Sequence, residues 1–424
     1  MRSCLLCSVA FVILATGAGT GRAAFQPANS ARPAGPWAQF RGPDGQGVSP
    51  EKGFPTQWSE SKNLAWKVAL PGAGTSSPIL VGDRLLLTAY TGSATGGLQL
   101  QVLCMNSEDG KLIWKREVAP QLPEQDRIRE DHGWASSTLA ADAERIYAFF
   151  GKSGVYAFDH AGKQLWRTSV GTGLNGWGSS NSPVLYRNLV IINASVESES
   201  LVALDRQTGK EVWRAGGIKE SWNTPILVSL PGGKTELVTA VFGKVMGLDP
   251  GTGQPLWSCT TEIPWYMVPS LVARNGVVYC IGGRTAGGLA VRCGGRGDVT
   301  ATHRVWTVRK GSNVSSPVLY GDHMYWVHEN LGIAYCAELS SGKLLYEERL
   351  PAGGQFYASP IVAEGRIYYP GRMGTTCVVA AGPRFQLLSS NQLGNREVFN
   401  ASPAAGRGKL FLRSDRFLYC LGTR

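Results

Sequence analysis

A short phrase ending in proline returns along this chain, and it constrains the fold more than any other feature. Ser77-Pro78, Ser182-Pro183, Thr224-Pro225, Val268-Pro269, Ser316-Pro317, Ser359-Pro360 and Ser402-Pro403 carry it, and Ser137-Thr138 fills the one missing place. Most of these eight anchors stand 42 to 48 residues apart, and the first interval is 60. A period in the forties is that of four short strands per unit. The length of 424 residues would otherwise suggest two or three domains, a prior that a repeat array overrides.

Each unit has the same grammar. A β-branched strand follows the anchor. A turn pair such as Gly82-Asp83, Asn275-Gly276 or Gly321-Asp322 comes next, and such pairs tolerate the positive φ of tight hairpins. A second apolar strand follows. The third strand ends at an acidic or amide residue with glycine four places on: Asn106 to Gly110, Asp205 to Gly209, Asp249 to Gly253, Glu338 to Gly342. The fourth strand carries Trp114, Trp166, Trp213, Trp257, Trp306 or Tyr346. No stretch keeps a long 3.6-residue period, so almost no helix is expected.

The order of the pieces predicts how the array closes. A tryptophan strand, residues 64–70 around Trp66, precedes the first anchor, and only two strands follow Pro403. The early strand is therefore expected to complete the last unit, because ring closure removes open sheet edges. The fold class is all-β: an eight-bladed β-propeller with four-stranded blades, closed by the N-terminal strand and expected to be a monomeric ring. The tryptophans should lie between neighbouring blades.

The phrases "LVALDRQTGKEVWR", "VMGLDPGTGQPLW" and "AYCAELSSGKLLY" resemble the PQQ-like repeat family over residues 64–424. The opening "WAQFRGPDGQGVS" and the closing "RFLYCLGTR" look like exported bacterial propellers of that kind. The resemblance implies the ring and says little about chemistry, because the turn and the tryptophan are structural. The family holds quinoprotein dehydrogenases, which bind PQQ with calcium on the axis, and a propeller lipoprotein of the outer-membrane assembly machine.

Residues 1–23 read as a signal peptide. Arg2 precedes an apolar stretch from Cys4 to Ala18, and Gly21-Arg22-Ala23 suits cleavage. A lipoprotein signal needs a cysteine at the cleavage point, and Cys4 and Cys7 come too early. Residues 24–63 are expected to be a lead-in and an extension, with 37–63 packed on the outside of the ring. The formal charge is +11, or +9 without Arg2 and Arg22. It favours anionic partners, while export argues against nucleic acid. Seven cysteines remain beyond the leader. Four of them, Cys104, Cys336, Cys377 and Cys420, share a repeat position with Ala157, Ala203 and Gly247. A place filled by Cys, Ala and Gly is a tight buried slot, not a disulfide framework or a metal set.

Repeat symmetry brings the loops before strand one into a single mouth, and these are rich in aromatics and amides. Trp134, Trp177, Trp222 with Asn223, Trp265 with Tyr266, Asn313, Phe356 with Tyr357, and Phe399 with Asn400 belong to them. The loops between strands two and three share that face and add Arg284, Glu329, Asn330, Arg372, Arg413 and Asp415. The ligand-binding set expected is Trp134, Trp177, Trp222, Asn223, Trp265, Tyr357, Phe399, Asn400, Arg284, Arg372 and Glu329. Aromatic faces beside a few polar groups suit a flat or sugar-like ligand. Each aromatic alone could equally serve to pack the next blade. The long loop 119–133, with Glu124, Asp126, Arg127, Arg129, Glu130, Asp131 and His132, reads as a lid or as a solvated insertion.

The first functional reading is a non-catalytic binding or scaffolding platform for a protein, a glycan or an anionic small molecule. No cofactor and no metal is required by it, and no catalytic residue is assigned. The alternative is a PQQ-dependent dehydrogenase. Such enzymes carry adjacent cysteines, which this chain lacks, and need carboxylates for calcium.

Overall fold

The computed structural model describes residues 37–126, 132–284 and 286–422, together with Met1. The leader, the lead-in to residue 36, and Arg127, Arg129, Glu130 and Asp131 of the long loop lie outside the described residues.

Eight sheets of four antiparallel strands follow one another around an axis. Blade 1 runs outward through Ile79–Val81, Arg84–Ser93, Gly96–Asn106 and Leu112–Val118. Blade 8 is Ala404–Gly406, Lys409–Arg413 and Phe417–Leu421, completed by Leu64–Ala69. That last strand pairs antiparallel with Phe417–Leu421, Trp66 opposite Cys420, as the order of pieces predicted. The α-helices among the described residues are two four-residue turns, Ser195–Ser198 and Thr300–His303. No described helix is long and apolar enough to cross a membrane.

The anchors form a closed hydrogen-bond circuit. The backbone N–H of Ser77 donates to Thr138 Oγ1 of the next blade at 2.9 Å, and Thr138 N–H donates to Ser182 Oγ at 3.1 Å. The relay continues through Thr224, Ser270, Ser316, Ser359 and Ser402 at 2.9–3.0 Å. Ser402 N–H returns it to Ser77 Oγ at 3.1 Å. The fifth member is Ser270 and not Val268. In that blade the proline, Pro269, precedes the hydroxyl residue instead of following it, so the phrase is displaced while the hydroxyl keeps its place.

A second periodic contact ties the blades together further out. Each strand-four aromatic lies opposite a small strand-three residue: Trp114 by Cys104, Trp166 by Ala157, Trp213 by Ala203, Trp257 by Gly247, Tyr346 by Cys336. The indole reaches into the next blade at three of these places, while Trp257 donates to Glu236 of its own blade. Trp114 Nε1 donates to His160 O at 3.2 Å, Trp166 Nε1 to Arg206 O at 3.1 Å and Trp213 Nε1 to Pro250 O at 3.2 Å. The turn glycine lies against the ring. Gly253 has φ +73°, and a Cβ there would stand 2.5 Å from the Trp213 ring. Both constraints require glycine. The seven described cysteines are free and buried, and burial pushes the Cys280 thiol up to about 12.

Residues 37–47 do not lie outside the ring, contrary to the sequence expectation. Trp37 bridges Leu80 in blade 1, and Ala38 O accepts from Ala141 N–H in blade 2 at 2.8 Å. The Arg41 guanidinium donates to Pro317 O in blade 6, Gln46 exchanges two bonds with Ala273 in blade 5, and Gly47 O accepts from Val362 N–H in blade 7. A segment touching the innermost strands of five blades crosses the channel. The cause is the unpaired inner edge of those strands, whose N–H groups need acceptors. Val48–Ser49 then adds a parallel strand to the inner edge of blade 7. Only the later part runs along the flank, with Phe54 on Glu364 and Trp58 on Asn391.

The tryptophan layer yields a stability prediction. Trp213→Ala removes a buried indole and its bond across the blade interface, and should cost roughly 3–5 kcal/mol in urea unfolding. An unchanged unfolding midpoint would show that the layer does not hold the blades.

Candidate functional site

A cavity of about 510 Å³ occupies the axis on the face of the strand-one loops. Seven circuit hydroxyl residues, all but Ser182, line it, and Phe40 of the crossing segment joins them. Its wall carries His132, Trp177, Trp222, Tyr266, Arg284, Asn313, His328, Glu329, Asn330, Gln355, Tyr357 and Asn400. The wall groups come from the loops before strand one and between strands two and three, the two sets that repeat symmetry placed on one face.

Tyr266 is the centre of the aromatic side. Its ring lies 5.9 Å from Trp177, 5.7 Å from Trp222 and 5.8 Å from Trp265. Its hydroxyl meets Arg284 Nε and Asn313 Nδ2, each at 3.4 Å. Burial raises the phenol, but the bonds from Asn313, Arg284 and Trp265 outweigh it, and the group sits below its ordinary value. Across the cavity, Arg372 lies 4.5 Å over Tyr357 and donates to Asn400 Oδ1 at 3.0 Å and Gln355 Oε1 at 2.7 Å. Glu329 is buried, and its carboxylate accepts from Ser312 Oγ at 3.1 Å, Asn313 N–H at 2.8 Å and Asn330 Nδ2 at 2.9 Å.

Of the residues singled out in the sequence, Trp177, Trp222, Tyr357, Asn400, Arg284 and Glu329 share this wall. Arg372 stands behind it, holding Asn400 and Gln355. Trp265 is 37% exposed beside it, with the Arg284 guanidinium 5.0 Å over its ring. Trp134 lies elsewhere, edge-on to Tyr90 at 5.1 Å. Asn223 is fully buried and holds the backbone through Ala240 O and the Ser221 and Thr239 hydroxyls. Phe399 is buried against Tyr419. In the pair Trp265-Tyr266 it is Tyr266 that faces the cavity, a choice sequence could not make because side-chain direction flips at each step of an extended backbone. Phe40 and the circuit hydroxyls went unassigned. The hydroxyls were visible as the constant part of the anchor phrase.

The loop bearing Trp177 is held from behind by a buried carboxyl. The Ser179 hydroxyl donates to Glu197 Oε1, while Gly178 O accepts from Trp222 Nε1 at 2.8 Å. Gly171 and Gly173 press on the same helical turn, where a Cβ on either would stand 2.2 Å from a backbone oxygen. Burial is the main force that raises Glu197 to about 7.

One family model, described as outer membrane protein assembly factor BamB, matches residues 52–195 and 99–343. The chain belongs to this PQQ-like family. Among characterised proteins it is 23% identical over 219 residues to outer membrane protein assembly factor BamB of Burkholderia pseudomallei (strain K96243), covering 50% of each chain. It is 25% identical over 170 residues to a polyvinylalcohol dehydrogenase of a Pseudomonas species, covering 36% of this chain and 24% of that one. The chain thus spans half or less of the length of these curated relatives. Two solved structures share the fold. BamB from Moraxella catarrhalis superposes with a TM-score of 0.59 at 13% identity, over 85% of this chain and 97% of the other. A europium-containing methanol dehydrogenase gives 0.63 at 11% identity, over 93% and 99%. The PQQ-like ring therefore serves relatives of both kinds.

The Glu197 carboxyl predicts a pH dependence. Its folded value lies above the ordinary 4.5, so its contribution is fully present below about pH 4.5 and is lost as pH rises towards 7. The loss amounts to about 3 kcal/mol at most. Glu197→Gln, which cannot ionise, should narrow the drop in melting temperature between pH 5 and pH 8. An equal drop in both proteins would place the proton elsewhere.

Proposed function

We propose that this protein is an exported, non-catalytic binding propeller, whose axial cavity holds a ligand or an exposed group of a larger partner. The observation that carries the reading is the shape of the channel. One end opens through aromatic and amide loops, and the other is crossed by residues 37–47. A cavity of about 510 Å³ lies within the range of small-ligand sites. Its wall is rigidly supported, with Glu329, Arg372 and Trp222 each held by neighbouring loops. Relatives named as assembly factors give a precedent for the ring as a protein platform. Export rests on the Arg2 and Cys4–Ala18 leader pattern, with residues 24–63 as the extension and 64–424 as the ring.

PQQ with calcium is the cofactor that the dehydrogenase relatives suggest, and the described residues do not fit it. Calcium takes six to eight oxygen ligands, with carboxylates prominent. The described lining supplies one carboxylate, Glu329, already engaged by three donors. No group of three His, Cys, Asp or Glu side chains among the described residues could hold a metal. No chemical step is therefore derived through the quinone.

Titrating the purified protein with PQQ and calcium tests the reading. No saturable quinone absorbance band and no alcohol-dependent reduction of an electron-acceptor dye are expected. A one-to-one band with dye reduction would replace the platform by the dehydrogenase.

A further inference from the structure

The floor of the cavity is rich in hydrogen-bond donors that the described residues do not use. Each circuit hydroxyl accepts an amide proton from the preceding blade. None of the eight donates to an acceptor among the described residues. A hydroxyl has one proton and two lone pairs, so every member keeps a proton to give, and seven of the eight belong to residues that line the cavity.

Two buried cations lie against this floor. The Arg41 guanidinium is 1% exposed and donates to Pro317 O, one residue from Ser316 of the circuit. Arg413 is equally buried. Its Nη1 donates to Ser76 O at 2.9 Å and Ser76 Oγ at 2.7 Å, one residue from Ser77. Neither has an ion-pair partner among the described residues. Each leaves Nε and a second guanidinium nitrogen without a partner. Burial pulls both down to about 9, which leaves them charged at neutral pH. An unpaired buried charge is costly, and although neither guanidinium is part of the cavity lining, a negative group seated on the floor would interact favourably with both. Arg284, exposed at the mouth, also makes no ion pair among the described residues, while the Glu329 carboxylate accepts from three neutral donors. Among the described residues three guanidinium groups stand against one carboxylate, which biases the field over the cavity towards positive, and low-dielectric walls focus it.

The walls define the rest of the ligand. Trp177 and Trp222 are inclined to Tyr266 by 50° and 71°. Neither indole forms a parallel slot with Tyr266. They offer separate faces to the C–H edges of a puckered ring.

We propose that the axial cavity seats an acidic sugar, with its carboxylate on the hydroxyl circuit and its ring against Tyr266, Trp177 and Trp222. The inference rests on the binding-platform reading and adds the ligand class. Carboxylate oxygens only accept hydrogen bonds, which matches a floor of donors. Both a free monosaccharide and the end of an acidic polysaccharide present this chemistry.

The test is calorimetric titration of the full chain with glucuronate, glucose and inorganic phosphate at low ionic strength, with tryptophan fluorescence as a second readout. Glucuronate should bind roughly tenfold tighter than glucose, the size of one charge-assisted contact. Phosphate should compete with it, since both need the donor floor. Arg284→Gln should weaken glucuronate several-fold more than it weakens glucose, and Arg284→Lys should recover part of that selectivity. Phosphate competition needs no variant, so the proposal stays open to refutation even if circuit substitutions unfold the ring. Equal binding of glucose and glucuronate would overturn the anion seat, as would failure of phosphate to compete. Tighter binding of phthalate than of glucuronate would overturn the sugar. Each of these outcomes leaves the platform reading standing, whereas PQQ-dependent dye reduction would remove it. Oligoglucuronate binding more tightly than glucuronate assigns the ligand to a polysaccharide end, and equal binding assigns it to the free sugar.

Discussion

The hydroxyl-to-amide circuit around the axis is the interaction on which the remaining geometry depends. A propeller blade buries its faces against two neighbours, but its innermost strand starts at a crowded axis where amides of eight chains converge. Each amide there must find an acceptor, because an unpaired buried N–H costs about as much as a lost hydrogen bond. A serine or threonine at the same place in every repeat supplies one acceptor per blade, and the relay closes when Ser402 meets Ser77 at 3.1 Å. Blades 8 and 1 are thus joined at the axis by a short bond and at the rim by Trp66, whose indole donates to Ser107 O in blade 1 at 3.2 Å. Either closure alone would leave one end of the seam to open.

The circuit also decides where the ligand space lies. Because every strand-one loop arrives at the same height, the residues just before the anchor form one wall, and the hydroxyls become its floor. Below them the channel would expose strand edges, and residues 37–47 cover these with their own carbonyls. The crossing segment thus obstructs the far end of the channel, and its Phe40 joins the cavity lining. It also carries Arg41 to a place where water and counter-ions are excluded, which gives the cavity its electrostatic character. The surface ion pairs of the rim, such as Lys111 with Asp109 or Lys310 with Glu347, are screened by solvent and contribute little.

Support for the wall is arranged in layers. Tyr266, Trp177, Trp222, Tyr357, Asn400 and Gln355 line the cavity, while Gly178 accepts from Trp222 and Arg372 holds Asn400 and Gln355 from behind. Glu197 lies behind and links the Trp177 loop to blade 3. Its high proton affinity follows from burial with few donors, so the rigidity of one wall loop is coupled to proton binding.

The amino-acid sequence by itself determined the repeat number, the four-strand blade, the closing strand, the tryptophan layer and the face on which the loops gather. These follow from periodicity, and a period survives any uncertainty about single side chains. The tertiary structure alone decided which residue of each loop turns inward. Tyr266 faces the cavity and Trp265 does not, while Asn223 and Phe399 serve the blades. The sequence placed the fifth anchor at Val268-Pro269, but space placed the hydroxyl at Ser270. Only the structure showed residues 37–47 inside the ring, and Arg41 and Arg413 unpaired beneath the floor. The reason is physical. Repeat periodicity encodes contacts between equivalent positions in neighbouring blades. The crossing segment and the inward rotamers depend on contacts between positions that no period relates.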